Sequence, residues 1–157
     1  FDGFGIGGSF SKADLNESLK VVNEILPEDK PRHLLGIGEP EDIVQGILNG
    51  CDTFDCVNPT RIARTGTLYV HTGETKTTNC GTLTYPVLKK INLNNQRYQN
   101  DFTMIDELSL GHVAQTYTKG YLAHLFRAKE MLGPHLASIH NLHTIVNFTK
   151  KLREQLV

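Results

Sequence analysis

Short apolar runs alternate with amphipathic segments over the first sixty residues. The runs at 1–6, 33–37 and 53–57 have the length of buried strands. Between them, apolar residues recur at helical spacing, first at Leu15, Leu19, Val22 and Leu26 and then at Ile43, Val44, Ile47 and Leu48. Strands joined by single helices and short links pair in parallel through right-handed crossovers. The pattern therefore predicts an α/β fold with three parallel βα units.

Capping residues set the expected limits of the two helices. Ser11 has the character of an N-cap for the first helix, and Pro27 ends the apolar periodicity. Pro40 suits the first turn of the second helix, and Gly50 suits the position just after its last turn.

The composition changes after residue 60, where Thr, Asn and Gly become frequent and the apolar periodicity weakens. Short extended pieces are expected here, with a turn at Gly73, and two helices are expected from His112 onward. Gly133-Pro134 is expected to separate these helices, and the apolar face of the second consists of Leu136, Ile139, Leu142, Ile145, Val146 and Leu152. The chain is thus predicted to have three parts: 1–66 with the βα units, 67–111 as an inserted β-rich subdomain, and 112–157 with the helices.

Length and composition narrow the class of protein. The chain has 157 residues, of which 39% are hydrophobic and 21% charged, with a formal net charge of −1. These values fit an ordinary folded domain and do not fit a disordered chain. Since no apolar run approaches the roughly 20 residues that span a bilayer, no membrane partner is expected. The chain starts at Phe1 without an initiator Met, which suggests a fragment of something longer.

The small net charge conceals two unequal parts. Residues 1–57 hold 4 Lys+Arg and 11 Asp+Glu, a balance of −7, whereas residues 58–157 balance to +6. The asymmetry indicates either an anion-binding half or an uneven solvated surface. Three cysteines without a Cys-x-x-Cys pair favour a reducing compartment, and hence the cytoplasm.

Asp55 is the strongest candidate for a catalytic residue. Ligands of parallel sheets bind beyond the carboxyl ends of the strands, so Gly7-Gly8, Gly36-Ile37-Gly38 and Asp55-Cys56 should lie side by side. An acid between Phe54 and Cys56 is expected to be partly desolvated. It could attack an anomeric carbon as a nucleophile or cap the following turn.

The residues around Asp55 extend this hypothesis. Glycines at the two earlier strand ends would let flat backbone surfaces approach a planar ligand such as a purine, although no complete phosphate-binding fingerprint is present. Arg61 and Arg64 suit phosphate contacts near a reacting sugar, or else form a solvated loop or an ion pair with Asp55. His140 and His143 are one helical turn apart, which alone is weak evidence for a metal site.

The stretch 52–66, Asp-Thr-Phe-Asp-Cys-Val-Asn-Pro-Thr-Arg-Ile-Ala-Arg-Thr-Gly, closely resembles the signature of tRNA-guanine transglycosylases, also called queuine tRNA-ribosyltransferases. Gly5-Ile6-Gly7-Gly8 resembles the Gly-Gly base-binding strand of that family. Further similar stretches follow in order at 29–38, 91–93, 121–125 and 140–142. The resemblance covers nearly the whole chain.

The resemblance implies a fold and a reaction. Such enzymes are (β/α)8 TIM barrels with an inserted zinc-binding subdomain, and this chain corresponds to their C-terminal portion. They exchange guanine at the wobble position of certain tRNAs for a 7-deazaguanine base. Asp55 would be the nucleophile that attacks C1′ of the ribose and forms a covalent intermediate. Base contacts would come from Gly7, Gly8, Ser9, Leu35 and Gly36, and tRNA backbone contacts from Thr60, Arg61 and Arg64.

Two departures from the family pattern bear on activity. The family's second key Asp, a general acid/base, belongs to the amino-terminal half of the barrel, so this fragment alone is expected to be inactive. The zinc-binding Cys-x-Cys-x-x-Cys falls on Ser109, Gly111 and Ala114, and only the fourth ligand position, His140, is retained. We therefore expect no cofactor and no bound metal, with the longer stretch 74–90 packing where the metal would lie.

Alternatives to a transglycosylase remain open. The chain could belong to a non-catalytic tRNA-binding accessory paralogue, or to a transglycosylase that acts on another nucleic acid. The expected partners are tRNA and a guanine or 7-deazaguanine base, with possible homo-oligomers.

Overall fold

The computed structural model describes residues 1–8, 14–79 and 83–156. The chain divides into two compact units, Phe1–Asn58 and Pro59–Val157. The division into three parts stays a prediction.

The first unit is built on a parallel sheet, as the pattern predicts. Its strands are β1 (Phe4–Ile6), β2 (Arg32–Leu34) and β3 (Thr53–Phe54), in the order β1-β2-β3. The strands are shorter than the apolar runs. Strand β2 ends at Leu34 because Gly36 takes a positive φ of 73°, which turns the chain away from the sheet.

Two helices join these strands and bury their apolar faces. Helix α1 (Leu15–Ile25) links β1 to β2, and α2 (Pro40–Leu48) links β2 to β3, with Pro40 in its first turn as predicted. The predicted cap Ser11 lies outside the described residues. The core of this unit consists of Ile6, Leu15, Leu19, Leu34 and Cys51.

The second unit contains a β-hairpin and a set of helices. Helix α3 (Asn58–Ala63) precedes antiparallel strands β4 (Thr67–Thr77) and β5 (Thr84–Asn92). A 3-10 helix and three α-helices follow: Gln96–Tyr98, α4 (His112–Thr116), α5 (Lys119–Arg127) and α6 (Leu132–Arg153). The core of this unit is a cluster of buried residues that includes Leu68, Ile91, Leu93, Leu122 and Ala137.

Two sequence predictions about chain breaks are wrong. Gly73 lies inside β4, where the register shifts between His71 and Thr75 and a glycine relieves the irregularity. Gly133-Pro134 lies in the first turn of α6, where proline is tolerated because an N–H there has no intrahelical partner.

The first of the two helices predicted after His112 is divided into α4 and α5. The chain is extended at Tyr117 and Thr118, and the Thr118 hydroxyl accepts a hydrogen bond from the Tyr121 amide. This N-cap starts a new helix in the middle of a continuous apolar periodicity.

The buried face of α6 is not the predicted apolar one. Leu136 and Leu152 are buried as expected, but Ile139, Leu142 and Val146 are 42%, 45% and 49% exposed. The residues that face the core include His140 and Asn141, whose side chains bond backbone groups of β4, and Thr144, whose hydroxyl donates to the His140 carbonyl of the same helix.

None of the helices in the described ranges combines the length and hydropathy that crossing a bilayer requires. Cys51 and Cys56 are free thiols. The third cysteine, Cys80, lies outside the described part of the chain.

Candidate active site

Asp55 follows β3 directly, at the carboxyl end of the parallel sheet. One carboxylate oxygen is held by the neighbouring strand end: Oδ1 lies 3.1 Å from His33 Nε2 and accepts a hydrogen bond of 3.2 Å from the Gly36 amide. The other oxygen, Oδ2, has no hydrogen-bond partner among the described residues. The carboxylate is thus oriented while one oxygen remains available.

Asp55 is only partly covered, although it lies between Phe54 and Cys56. Its side chain is 57% exposed, and its strand ends one residue earlier, at Phe54. Because the strand ends before it, the acid projects toward solvent.

The predicted base-binding residues that are described lie near one another. Gly7 follows β1, and Leu35 and Gly36 follow β2. A Cβ at Gly7 would lie 2.8 Å from Leu35 Cδ1, so the Leu35 side chain covers the end of β1 and would have to shift to admit a side chain there. The Gly36 amide contacts Asp55, and the space beside its Cα is open. Gly8 is exposed, and Ser9 lies outside the described residues.

The predicted tRNA-binding residues lie on and just after α3. Thr60 and Arg61 are in the helix, and the Arg64 amide donates a 3.1 Å hydrogen bond to the Thr60 carbonyl, which continues the helical turn. Arg61 and Arg64 are both exposed and three residues apart, so they lie on one face of this turn.

His33 is a site residue that the sequence interpretation missed. Strand β2 pairs with β3 so that His33 stands opposite Thr53, and the ring reaches Thr53 Oγ1 at 2.8 Å through Nδ1. Its other nitrogen contacts Asp55. The sequence carries no direct signal for it, because His33 reaches Asp55 only through the parallel register that pairs it with Thr53.

The positions that correspond to the zinc ligands of the resembling family do not fit a metal. Ser109 Oγ accepts from the Gly111 amide, Ala114 is fully buried, and a Cβ on Gly111 would lie 2.6 Å from the ring of His143. His140 therefore stands without the three thiolates of a Cys₃His site. Within the described ranges, no cluster of three or more His, Cys, Asp or Glu has the arrangement of a metal site.

His140 and Asn141 form hydrogen bonds with backbone groups on the unpaired edge of β4. The His140 ring donates from Nε2 to the Tyr69 carbonyl at 2.7 Å, and burial lowers the pKa of this imidazole, which favours the neutral form. Asn141 accepts from the Tyr69 amide at 3.0 Å and donates to the carbonyls of Pro59 and Thr67 at 2.9 Å and 3.0 Å. These side chains thus bond the edge of β4 that β5 does not cover.

Asp106 bonds His71, further along the same edge of β4. Its carboxylate accepts from the His71 amide at 2.9 Å, the His71 ring at 2.7 Å and the Leu108 amide at 3.1 Å. Burial alone would raise the pKa of this carboxyl, but the hydrogen bonds from His71 outweigh it and hold the pKa below its usual value. The loop after Asp106, which carries Ser109 and Gly111, is therefore anchored by hydrogen bonds.

None of the hydrogen bonds given above for His140, Asn141 and Asp106 joins a described residue of the stretch 74–90. Tyr85 of this stretch meets Phe148, further along α6, edge to face, and Gln155, which follows α6, bonds the backbone of Thr84. The loop before α4 is instead anchored through His71, which precedes this stretch.

The first unit is of the α/β class, with a parallel sheet and an oriented carboxylate at its carboxyl edge, the edge at which such sheets generally bind ligands. The model of the family described as queuine tRNA-ribosyltransferase matches residues 1–157. The chain belongs to the queuine tRNA-ribosyltransferase family.

Curated relatives bear out the same membership. The chain is 39% identical to the queuine tRNA-ribosyltransferase of Lactococcus lactis subsp. cremoris over 160 residues, which cover 100% of this chain and 38% of that protein. It is 41% identical to that of Helicobacter acinonychis, with 100% and 39% covered, and 36% identical to that of Thermoanaerobacter pseudethanolicus, with 99% and 38% covered. The chain thus spans less than half the length of these relatives.

Proposed function

We propose that the full-length protein is a tRNA-guanine transglycosylase that exchanges guanine at the wobble position of certain tRNAs for a 7-deazaguanine base. The observation that carries this proposal is the Asp55 carboxylate, with Oδ1 held by His33 and Gly36 and with Oδ2 unpartnered among the described residues. An ionised, oriented carboxylate at an open strand end suits nucleophilic attack on an anomeric carbon.

The proposed reaction has two displacement steps. Asp55 Oδ2 forms a bond to C1′ of the ribose while the bond from C1′ to the guanine nitrogen breaks, and the electron pair of that bond leaves with the base. A carboxylic acid of the amino-terminal half, as the family resemblance implies, supplies the proton that neutralises the departing guanine. The incoming 7-deazaguanine gives the proton of its attacking nitrogen to the carboxylate that this acid has become. The nitrogen attacks C1′, and the ester bond breaks to release the Asp55 carboxylate.

The neighbouring strand ends suit recognition of a planar base. Gly7 and Gly36 carry no side chain, and the Leu35 side chain lies against Gly7 and supplies an apolar surface. Leu35 is 49% exposed, so part of this surface is open to a ligand. We assign base contacts to these residues and to Gly8 and Ser9.

The exposed arginines after Asp55 suit the phosphates of tRNA. Arg61 of α3 and Arg64 just after it lie on one face of the same helical turn, and the chain from residue 58 onward carries a net charge of +6. Guanidinium groups bind phosphates with two parallel hydrogen bonds, so we assign tRNA backbone contacts to these arginines and to Thr60.

The three βα units form part of a larger fold in this proposal. Together with the amino-terminal half that the relatives' length implies, they would close a (β/α)8 barrel, into which the β-rich segment is inserted. The fragment alone would be inactive because it lacks the general acid. Homo-oligomers are compatible with this arrangement.

The experiment that tests this function is incorporation of labelled guanine into tRNA by the full-length protein. We expect time-dependent incorporation into unmodified tRNA that carries guanine at the wobble position, and none into a tRNA with adenine there. A protein that binds tRNA without incorporating guanine would be an accessory paralogue, the alternative favoured by the replaced cysteines. Incorporation into another nucleic acid only would identify a different target.

We also propose that the protein carries no structural zinc. The hydrogen bonds of His140 and Asp106, with the close packing of Gly111 on His143, connect β4, the loop before α4 and α6 in place of a metal. Elemental analysis of the purified protein should find well under one zinc per chain, and EDTA should leave the unfolding temperature unchanged. One tightly bound zinc per chain that survives dialysis would refute this proposal.

A further inference from the structure

The His33 ring is fixed at both of its nitrogens. Nδ1 lies 2.8 Å from Thr53 Oγ1 and Nε2 lies 3.1 Å from Asp55 Oδ1, so the imidazole bridges the two residues that flank Phe54. The parallel register supports this bridge, because His33 pairs with Thr53 directly. A ring with two partners has little rotational freedom.

The partners also decide which nitrogen carries a proton. Beside an ionised carboxylate, Nε2 must donate, since two acceptors facing each other at 3.1 Å would repel. In the neutral ring, Nδ1 then accepts from the Thr53 hydroxyl, which can act as a donor. Nε2 therefore donates to Asp55 in the neutral ring as well as in the cation.

Two donors converge on the same oxygen of Asp55. The Gly36 amide approaches Oδ1 at 3.2 Å, beside the His33 ring. Fixing Oδ1 fixes the plane of the carboxylate, and with it the direction of Oδ2. A nucleophile held in one orientation reaches the reacting carbon more often than one that rotates freely.

We infer that His33 is the positioning residue of Asp55, donating from Nε2 to Oδ1 so that Oδ2 points at the anomeric carbon. This inference rests on the proposed function, since it assigns a role within that reaction. His33 contacts the nucleophile and not the substrate, so its removal should slow the chemical step without weakening tRNA binding.

The test compares two substitutions of His33 in the full-length protein. His33→Phe keeps a planar ring but removes both nitrogens, and His33→Gln keeps an N–H donor on a flexible side chain. We expect His33→Phe to lower kcat for guanine exchange by about 10- to 100-fold with the KM for tRNA nearly unchanged, and His33→Gln to recover much of the loss. His135→Phe, an exposed histidine of α6, is the matched control and should exchange normally.

The outcomes separate this inference from the function on which it rests. If the unmodified protein exchanges guanine and His33→Phe is equally fast, His33 does not position Asp55 although the function stands. If both variants are equally slow, or if the change lies in KM alone, the donor is not what matters and the inference fails. If the unmodified protein exchanges no guanine, the proposed function fails and the inference with it. Matching unfolding temperatures show that the variants are folded.

Discussion

Replacing Asp55 with asparagine in the full-length protein is expected to abolish nearly all guanine exchange, lowering kcat by ~10³-fold or more. The amide has the shape of the carboxylate but no negative charge, so it is a far weaker nucleophile toward C1′. Its oxygen can still accept from the Gly36 amide, which should preserve the local structure. The KM for tRNA should change little, because the loss is confined to the chemical step.

A nearby acid supplies the matched control. Asp52 lies three residues earlier and accepts from the Arg32 amide through Oδ2 at 2.8 Å, a hydrogen bond that an asparagine oxygen can also accept. Asp52→Asn removes the same charge from the same unit, yet it should exchange guanine at the unmodified rate. Equal exchange by Asp55→Asn and Asp52→Asn would disprove the assignment of Asp55 as nucleophile.

A trapping experiment adds a qualitative readout. The proposed intermediate is an ester between Asp55 and the ribose, which should be captured as a covalent protein–RNA species when tRNA and enzyme are quenched in denaturant. The species should form with Asp52→Asn and be absent with Asp55→Asn. Its formation by Asp55→Asn would place the covalent bond on another residue.

Replacing Asn141 with leucine is expected to lower the free energy of unfolding by about 3–5 kcal/mol. The fully buried Asn141 side chain bonds the Tyr69 amide and the carbonyls of Pro59 and Thr67. Leucine fills a similar volume but leaves these three backbone groups without that partner. Each unsatisfied buried group costs about 1–3 kcal/mol, and relaxation makes the sum less than additive.

The same substitution at Asn147 tests whether this effect comes from the buried hydrogen bonds. Asn147 lies on the same helix, is half-buried and contacts the ring of His143. Asn147→Leu should cost under about 1 kcal/mol, since water can replace a partner at a partly exposed site. Urea unfolding followed by circular dichroism measures both variants. If Asn141→Leu loses no more stability than Asn147→Leu, the edge of β4 does not depend on Asn141.

The parallel sheet and its functional edge follow from local pattern. Alternating apolar runs and helical periods predict the order of β1, β2 and β3, and strand ends predict that Gly36 and Asp55 meet. The exposure of Asp55 was not predictable in the same way. It depends on where β3 stops, and apolar character continues to Val57 beyond the last paired residue.

His33 and α6 show why other features required the fold. His33 became a site residue through pairing with a strand 20 residues away, and one strand's sequence contains no register. Periodicity predicts an apolar inner face for α6, but its inner face carries His140 and Asn141. Buried backbone groups on the unpaired edge of β4 require hydrogen-bond partners, and these two side chains supply them.

The sequence by itself determined the family, the parallel βα units and the carboxylate that we propose as nucleophile, because these depend on local motifs and on periodicity along the chain. Only the tertiary structure decided which oxygen of Asp55 is held, and that His140 and Asn141 of α6, together with Asp106, bond the edge of β4. The physical reason is distance along the chain: Asn141 and Tyr69 are 72 residues apart, and their hydrogen bond exists only once helix and hairpin have packed.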